Sequence, residues 1–573
     1  MVTTTFASAG VGRSRPRFSL EHWVTGGAIV TLIVLIVLPL VSLLWGSIAS
    51  DEGFTFEFFQ RAVSSRLYAT ALINSLVLGA WTGLFSVLIG VPLAWAVART
   101  NLPFKGFVKF TASLSYLSPP FLTAIAFVNL FSPNAGLINA FVRDVLGLPG
   151  LVFNIFSMTG LVLVTVLHTF PYVYLLASSA LQSVDASYEE SAQILGASKL
   201  RTALTITGPL VAPAILSGTL LAFVNAIALF GSQAIIGLPG RIFTLPTRIY
   251  SLFDYPPQYG LASALSLIFV AITVAALYLQ RTYLAKRSYV TMGGKGVRPQ
   301  LIDLGSGRWL LFGFCVLVFI VAILLPYAAL IAVSLSKSWG LAFWKNLTLA
   351  NYSFVLFEYD VTQRAIANSL VLAVAAATIA ALLGAMIGWI DLRTKIPGRR
   401  LLDYISLIPL GLPGIVMAVA LIQFWLRMPV ALYGTLGILL LAYTARYIPL
   451  GVRAANSALR QVDPSLEESA RILGAPWGMT MREITLPLIR PGLFAGWILV
   501  FVPAIQELSA SILLFSSDSI TLAVAVYNLY ETGYVEPVSA LAIVNMAIIG
   551  AAIWVANRLS GNKRDTERAG VTG

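Results

Sequence analysis

The chain has 573 residues, of which 58% are hydrophobic and only 11% charged, with a mean hydropathy of +0.86. Soluble domains carry about 25% charged residues, so this composition excludes a soluble globule and leaves a polytopic membrane protein bathed in lipid. The net charge of +13 does not point to nucleic acid, because the basic residues lie in short segments between apolar runs and not on one amphipathic face.

Residues 1–21 form a polar tail with Arg13, Arg15 and Arg17 just before the first apolar run, which places the amino terminus in the cytoplasm under the positive-inside rule. That run, about 24–48, is longer than a signal-peptide core and lacks a small-residue cleavage site, so it is expected to stay as an anchor. Further helices are predicted at about 70–98, 108–131, 157–182, 210–236 and 259–280, the last ending at Arg281, Lys286 and Arg287. A basic, Gly-rich stretch to Arg308 then reads as a cytoplasmic linker.

The second half repeats the first. Asn74-Ser-Leu matches Asn368-Ser-Leu, Arg99-Thr matches Arg393-Thr, and Pro103 matches Pro397, all at an offset of 294. Glu190-Ser-Ala-Gln-Ile-Leu-Gly196 matches Glu468-Ser-Ala-Arg-Ile-Leu-Gly474 at an offset of 278. The 16-residue difference is assigned to the segment after the third helix of the first half. With Lys563, Arg564 and Arg568 at the end, the carboxyl terminus is also expected inside. The predicted fold is therefore an all-α polytopic membrane protein of about twelve helices in two parallel six-helix repeats, with a pseudo-twofold axis along the membrane normal. The expected divisions are 1–21 tail, 22–287 first repeat, 288–308 linker, 309–559 second repeat and 560–573 tail.

Both copies of the duplicated stretch fall between the fourth and fifth helices of their half, on the cytoplasmic side. Ser187 and Ser465 stand three residues before Glu190 and Glu468, the capping-box spacing. Gly196 and Gly474 are expected to end the short helix with positive φ, and Pro209 and Pro487 to begin the next apolar run. Ionisable or polar groups inside the spans are functional candidates by default: Glu507 with Gln506 in the eleventh helix, whose repeat counterpart to Glu507 is Leu229, and His168 with its counterpart Arg446. An interhelical hydrogen bond or ion pair accounts for the same residues.

Nothing in the chain reads as an enzyme. Gly293-Gly-Lys295-Gly296 lacks the Ser or Thr of a phosphate-binding loop, no catalytic constellation is evident, and Cys315, His22 and His168 form no metal site.

The pattern Glu-x-Ala-x-x-x-Gly, nine residues, then Ile-x-Leu-Pro resembles the cytoplasmic signature loop of binding-protein-dependent ABC importer permeases. The second copy departs from it only at Ser469; the first has Ser191 and also Gly208 before Pro209. The resemblance implies that each loop is a coupling helix seated on an ATP-hydrolysing subunit. One chain would then supply both permease halves in the bacterial inner membrane, dock two copies of the ATPase, and receive cargo from an extracytoplasmic binding protein. ATP and Mg²⁺ would sit on the ATPase, with no cofactor in this chain. The Gln506-Glu-Leu-Ser-Ala-Ser-Ile-Leu-Leu run and Phe230-Gly-Ser-Gln-Ala-Ile-Ile-Gly-Leu-Pro-Gly-Arg-Ile resemble the ferric-iron branch; thiamine, phosphonate and polyamine cargoes are the alternatives. A rival class, an ion-coupled secondary transporter, would need more carboxylates within the spans. A membrane scaffold would leave the paired loops unexplained.

Overall fold

The computed structural model describes residues 20–50, 52–286, 301–396 and 398–561. Arg13, Arg15, Arg17, Arg287, Lys295, Pro397, Lys563, Arg564 and Arg568 lie outside the described residues. Helix dominates, and among the described residues one small sheet pairs Ala49–Ser50 with Gly53–Phe54.

Nine described helices are long and apolar enough to cross a bilayer: Val24–Ile48, Arg66–Arg99, Met158–Ser183, Ala203–Ala228 and Tyr259–Gln280, then Gly307–Ser334, Val361–Arg393, Trp477–Ile505 and Val535–Val555. Two bent pairs, Lys105–Leu117 with Pro120–Phe131 and Arg399–Gly411 with Gly414–Trp425, add two more. Helix Leu436–Leu459 carries Arg446 and Arg453, which lower its hydropathy, but it begins 278 residues after Met158–Ser183 and occupies the equivalent place. With it the count reaches twelve.

The third span is not the single straight helix expected at 108–131. It breaks by 97° at Ser118-Pro119, and its repeat counterpart breaks by 114° at Leu412-Pro413. Pro119 and Pro413 are both extended, at ψ 124° and 144°. A proline lacks the N–H that would continue the ladder, and it forces its predecessor out of the helical region. The bent pair still traverses the protein. Lys105 follows closely on Arg99, whereas Phe131 accepts a hydrogen bond from Ile155 at the opposite end of Met158–Ser183.

Prolines also explain five wide turns, four inside continuous helices and one, Gln233–Gly237, at a helix end. Ile33–Val37, Ala203–Thr207, Gln233–Gly237, Ile320–Leu324 and Met481–Thr485 are π-helical, and each precedes by two residues a proline: Pro39, Pro209, Pro239, Pro326 and Pro487. The wider turn makes room for the ring against the preceding carbonyl. Pro209 and Pro487 therefore do not begin their spanning helices; they lie within continuous ones, Ala203–Ala228 and Trp477–Ile505.

Packing within each half depends on close backbone approach, as is usual where lipid removes the hydrophobic drive between helices. A side chain added at Gly451 would lie 2.3 Å from the Ala380 carbonyl oxygen, and one at Gly384 would lie 2.5 Å from Gly451. The first helix of each half crosses to the other half. Val24–Ile48 packs on Gly414–Trp425, and Gly307–Ser334 packs on Pro120–Phe131, where Tyr327 Oη and Ser118 Oγ lie 2.7 Å apart.

The segment joining the third and fourth spans runs over residues 132–157 in the first half and 426–435 in the second, a difference of 16. The longer one holds helix Leu137–Asp144 and is tied down by Asn139, which bonds Ser132 O at 2.9 Å and exchanges bonds with Phe153. After the undescribed part of the linker, Ile302 pairs with Thr100 and Asp303 accepts from Asn101 at 2.5 Å. The linker thus ends against the signature-loop face of the first half.

Candidate coupling loops and central polar cluster

The two signature loops fold alike. Helices Ala186–Ile194 and Ser465–Ile472 are followed by Gly196 and Gly474, both at φ +85°, and then by Lys199–Thr202 and Trp477–Thr480. No atom lies within 4 Å of where a side chain at either glycine would begin, so the turn demands glycine through its backbone and not through crowding. The expected capping box is absent. Ser187 and Ser465 lie inside the first turn, and the carboxylates of Asp185 and Asp463 accept from their N–H groups at 2.9 Å each. An aspartate two residues upstream satisfies the same orphan donor. The exposed Asp463 carboxyl is thereby held below the usual aspartate value.

Glu190 and Glu468 are exposed and cap nothing. Their neighbours Glu189 and Glu467 are buried and clamp the loop to its half. Glu189 accepts from Thr207 at 2.6 Å and stands 3.7 Å from Arg99, which also donates to Val184 O. Glu467 accepts from Thr485 at 3.0 Å and Trp389 Nε1 at 3.3 Å and pairs with Arg393 at 3.4 Å. Arg393 in turn holds the Leu459 and Val462 carbonyls. Sequence reasoning gave Glu190 and Glu468 a capping role that they do not have, and it passed over their buried neighbours. The signal was available, since Arg99/Arg393, Glu189/Glu467 and Thr207/Thr485 all recur at the repeat offsets.

Beyond each clamp an apolar pair stands in the open. Ile194 and Leu195 are 85% and 87% exposed, and Ile472 and Leu473 are 84% and 87% exposed.

The polar residues predicted within the spans fall around the breaks in the third spans. Arg446 Nε stands 3.0 Å from Glu507 Oε2. Glu507 also accepts from Tyr447 Oη and, at 2.9 Å, from Ala510 N, so each carboxylate oxygen has a donor. The Arg446 guanidinium packs against Gly414 at the second break. Gln506 Nε2 donates to Leu117 O at 3.1 Å, joining the second half to the first break. His168 lies beside that break, on the helix where the Leu167 carbonyl accepts from Ser115, and its Nδ1 is sealed from solvent without a hydrogen-bond partner. The structure therefore brings Arg446 and Glu507 together as an ion pair in which both carboxylate oxygens have donors while Arg446 Nη1 is buried without a partner, and His168 lies in the other half.

Residues 86–288 and 380–564 each match the family of binding-protein-dependent transport system inner membrane components. The chain belongs to that family. It is a fused permease of two such halves, a transport subunit of the inner membrane. The permease is 28% identical over 553 residues to the ferric transport system permease protein FbpB of Actinobacillus pleuropneumoniae, covering 92% of this chain and 78% of that one. It is 27% identical over 511 residues to a putative ferric transport system permease, FbpB 1, of Haemophilus influenzae, covering 88% and 78%. One half is also similar to the molybdenum transport system permease ModB of Escherichia coli, at 30% over 212 residues, covering 36% of this chain and 90% of that one.

Proposed function

We propose that this permease forms by itself the whole membrane path of an ATP-driven ferric-iron importer. It docks two copies of an ATPase subunit, one at each signature loop, and takes its cargo from an extracytoplasmic binding protein. The observation that carries this reading is the pair of bare apolar tips, Ile194-Leu195 and Ile472-Leu473. Each stands on a loop clamped to its half by a buried carboxylate, arginine and threonine. Large exposed apolar side chains on a polar face mark a partner's site, and a rigid clamp passes the partner's motion to the helices behind it. ATP binding would draw the ATPases together, and the two halves would follow from inward-facing to outward-facing. Glu190 and Glu468, exposed beside the tips, would meet basic groups on the ATPase. ATP and Mg²⁺ belong to that partner. The loop face is then the cytoplasmic one, and both termini would be cytoplasmic as well.

Iron is favoured by two relatives named for ferric transport that match along nearly the whole chain. The Arg446–Glu507 pair and the Gln506–Leu117 bond lie where the halves meet the breaks, so they would have to rearrange as the path opens.

The test is ATPase activity of the purified permease with its ATPase subunit in lipid, with binding protein loaded with ferric iron, thiamine, phosphonate or polyamine. Stimulation by the iron-loaded protein alone is expected. Leu195→Asp and Leu473→Asp should each abolish stimulation while the chain still folds. Failure to assemble with any ATPase would overturn the importer reading; stimulation by another cargo would overturn iron.

A further inference from the structure

On the face opposite the signature loops, where the two halves meet, lies a cavity of about 560 Å³. Its walls are the far end of Pro120–Phe131, the segment after Gly208–Ala228, and the stretch from Tyr527 to Val538. Three tyrosines, Tyr527, Tyr530 and Tyr534, line it, and Glu531 is its one charged lining residue. No Arg or Lys lines it.

The chemistry is centred on Glu531. Tyr527 Oη donates to its Oε1 at 2.7 Å, and Tyr530, whose hydroxyl donates to Ile235 O across the two halves, is close enough to feel the same carboxylate. So is Tyr250, which with Tyr527 flanks Phe230, at 5.1 and 5.9 Å between ring centres. Tyr250 is the repeat partner of Tyr527. Thr244 and Thr521 cap equivalent helices, and Ser75 and Ser369 accept from Leu245 N and Leu522 N, which fixes an offset of 277. The same offset pairs Asp254 with Glu531. The two repeat-related tyrosines thus meet across the pseudo-twofold axis at Phe230, and Tyr527 there holds Glu531.

A path for an oxyanion is lined by Arg or Lys, and one for a cation by Asp or Glu. Phenol and carboxylate oxygens are hard donors, suited to a small, highly charged metal ion. A bound cation favours phenolate over phenol, and the displaced phenolic protons pass to solvent.

We propose that this vestibule is the site where ferric ion enters the permease, held by Glu531 and Tyr527 with Tyr530 beside them. The proposal rests on the ferric importer reading above and assigns it a cargo site that excludes oxyanions such as molybdate.

The test uses the full chain in lipid nanodiscs with ferric nitrilotriacetate, read by the visible phenolate-to-iron charge-transfer absorption. The expected result is a saturable band, weakened about tenfold or more in apparent affinity by Tyr527→Phe and by Glu531→Gln. Glu531→Asp should restore part of the loss, and Tyr404→Phe, an exposed tyrosine on the loop face, should change nothing. Absence of the band, or a band untouched by Tyr527→Phe and Tyr530→Phe together, overturns the site. Spermidine or thiamine binding with the same dependence on Glu531 while iron gives no band overturns the metal assignment. A band that behaves as expected without ATP-driven uptake would keep the site and sink the importer reading. Normal ATP-driven iron uptake in Glu531→Gln with no band would do the reverse.

Discussion

The signature-loop face and the middle of the permease obey different symmetries. At the loop face the two halves repeat each other to the side chain: Arg99, Glu189, Thr207 and Gly196 in one, Arg393, Glu467, Thr485 and Gly474 in the other. In the middle the repeat is broken, with a Glu507–Arg446 pair in the second half standing where the first has Leu229 and His168. Two equal loops suit two equal partners. The middle, which faces no such pair of partners, carries no such constraint.

The largest expected effect lies in the asymmetric region. Arg446→Leu leaves the buried Glu507 carboxylate without its cation, which should cost about 3–5 kcal/mol, and the double change Arg446→Leu with Glu507→Leu should recover most of it. Thermal unfolding of the purified chain would read this; equal losses in the single and double variants would show that the pair is not the unit.

At the loops the clamps are alike but not equal. Glu467→Ala strands Thr485, Trp389 and Arg393, whereas Glu189→Ala strands Thr207 and a looser Arg99 contact. Losses of about 3 and about 2 kcal/mol are expected. Hydrogen exchange across 465–472 and 186–194 would measure the local opening, and a larger loss in the first loop would contradict the comparison.

Gly196→Ala and Gly474→Ala should cost about 1 kcal/mol each, and the same in both loops, because only the backbone conformation is at stake. Unequal costs in the same exchange experiment would mean that the two turns are not equivalent. The smallest effect is the pH dependence at Asp463. Its folded value is depressed by the Ser465 N–H, so its contribution is fully present above the ordinary aspartate pKa and fades as pH falls through the lowered one. Exchange of the Ser465 amide should accelerate over that acid range in the native protein and lose this dependence in Asp463→Ala.

Much of this was legible before any coordinates. Apolar runs separated by basic segments determined the number of spans, because a bilayer core admits little else. The two offsets, 294 and 278, determined the repeat and the size of the longer connection after the third span. The positive φ at Gly196 and Gly474 followed from a glycine ending a short polar helix. What the chain could not declare by itself was which of two adjacent glutamates points inward. Glu189 and Glu190 differ by a third of a helical turn, and only the positions of Arg99 and Thr207, 90 and 18 residues away, decide that Glu189 is the buried one. Likewise Pro119 and Pro413 announce a break, but the angle and the exchange of first helices between halves are set by packing. The meeting of Tyr250 with Tyr527 around Phe230 is of the same kind, for it joins residues 277 apart across an axis that exists only once both halves have folded.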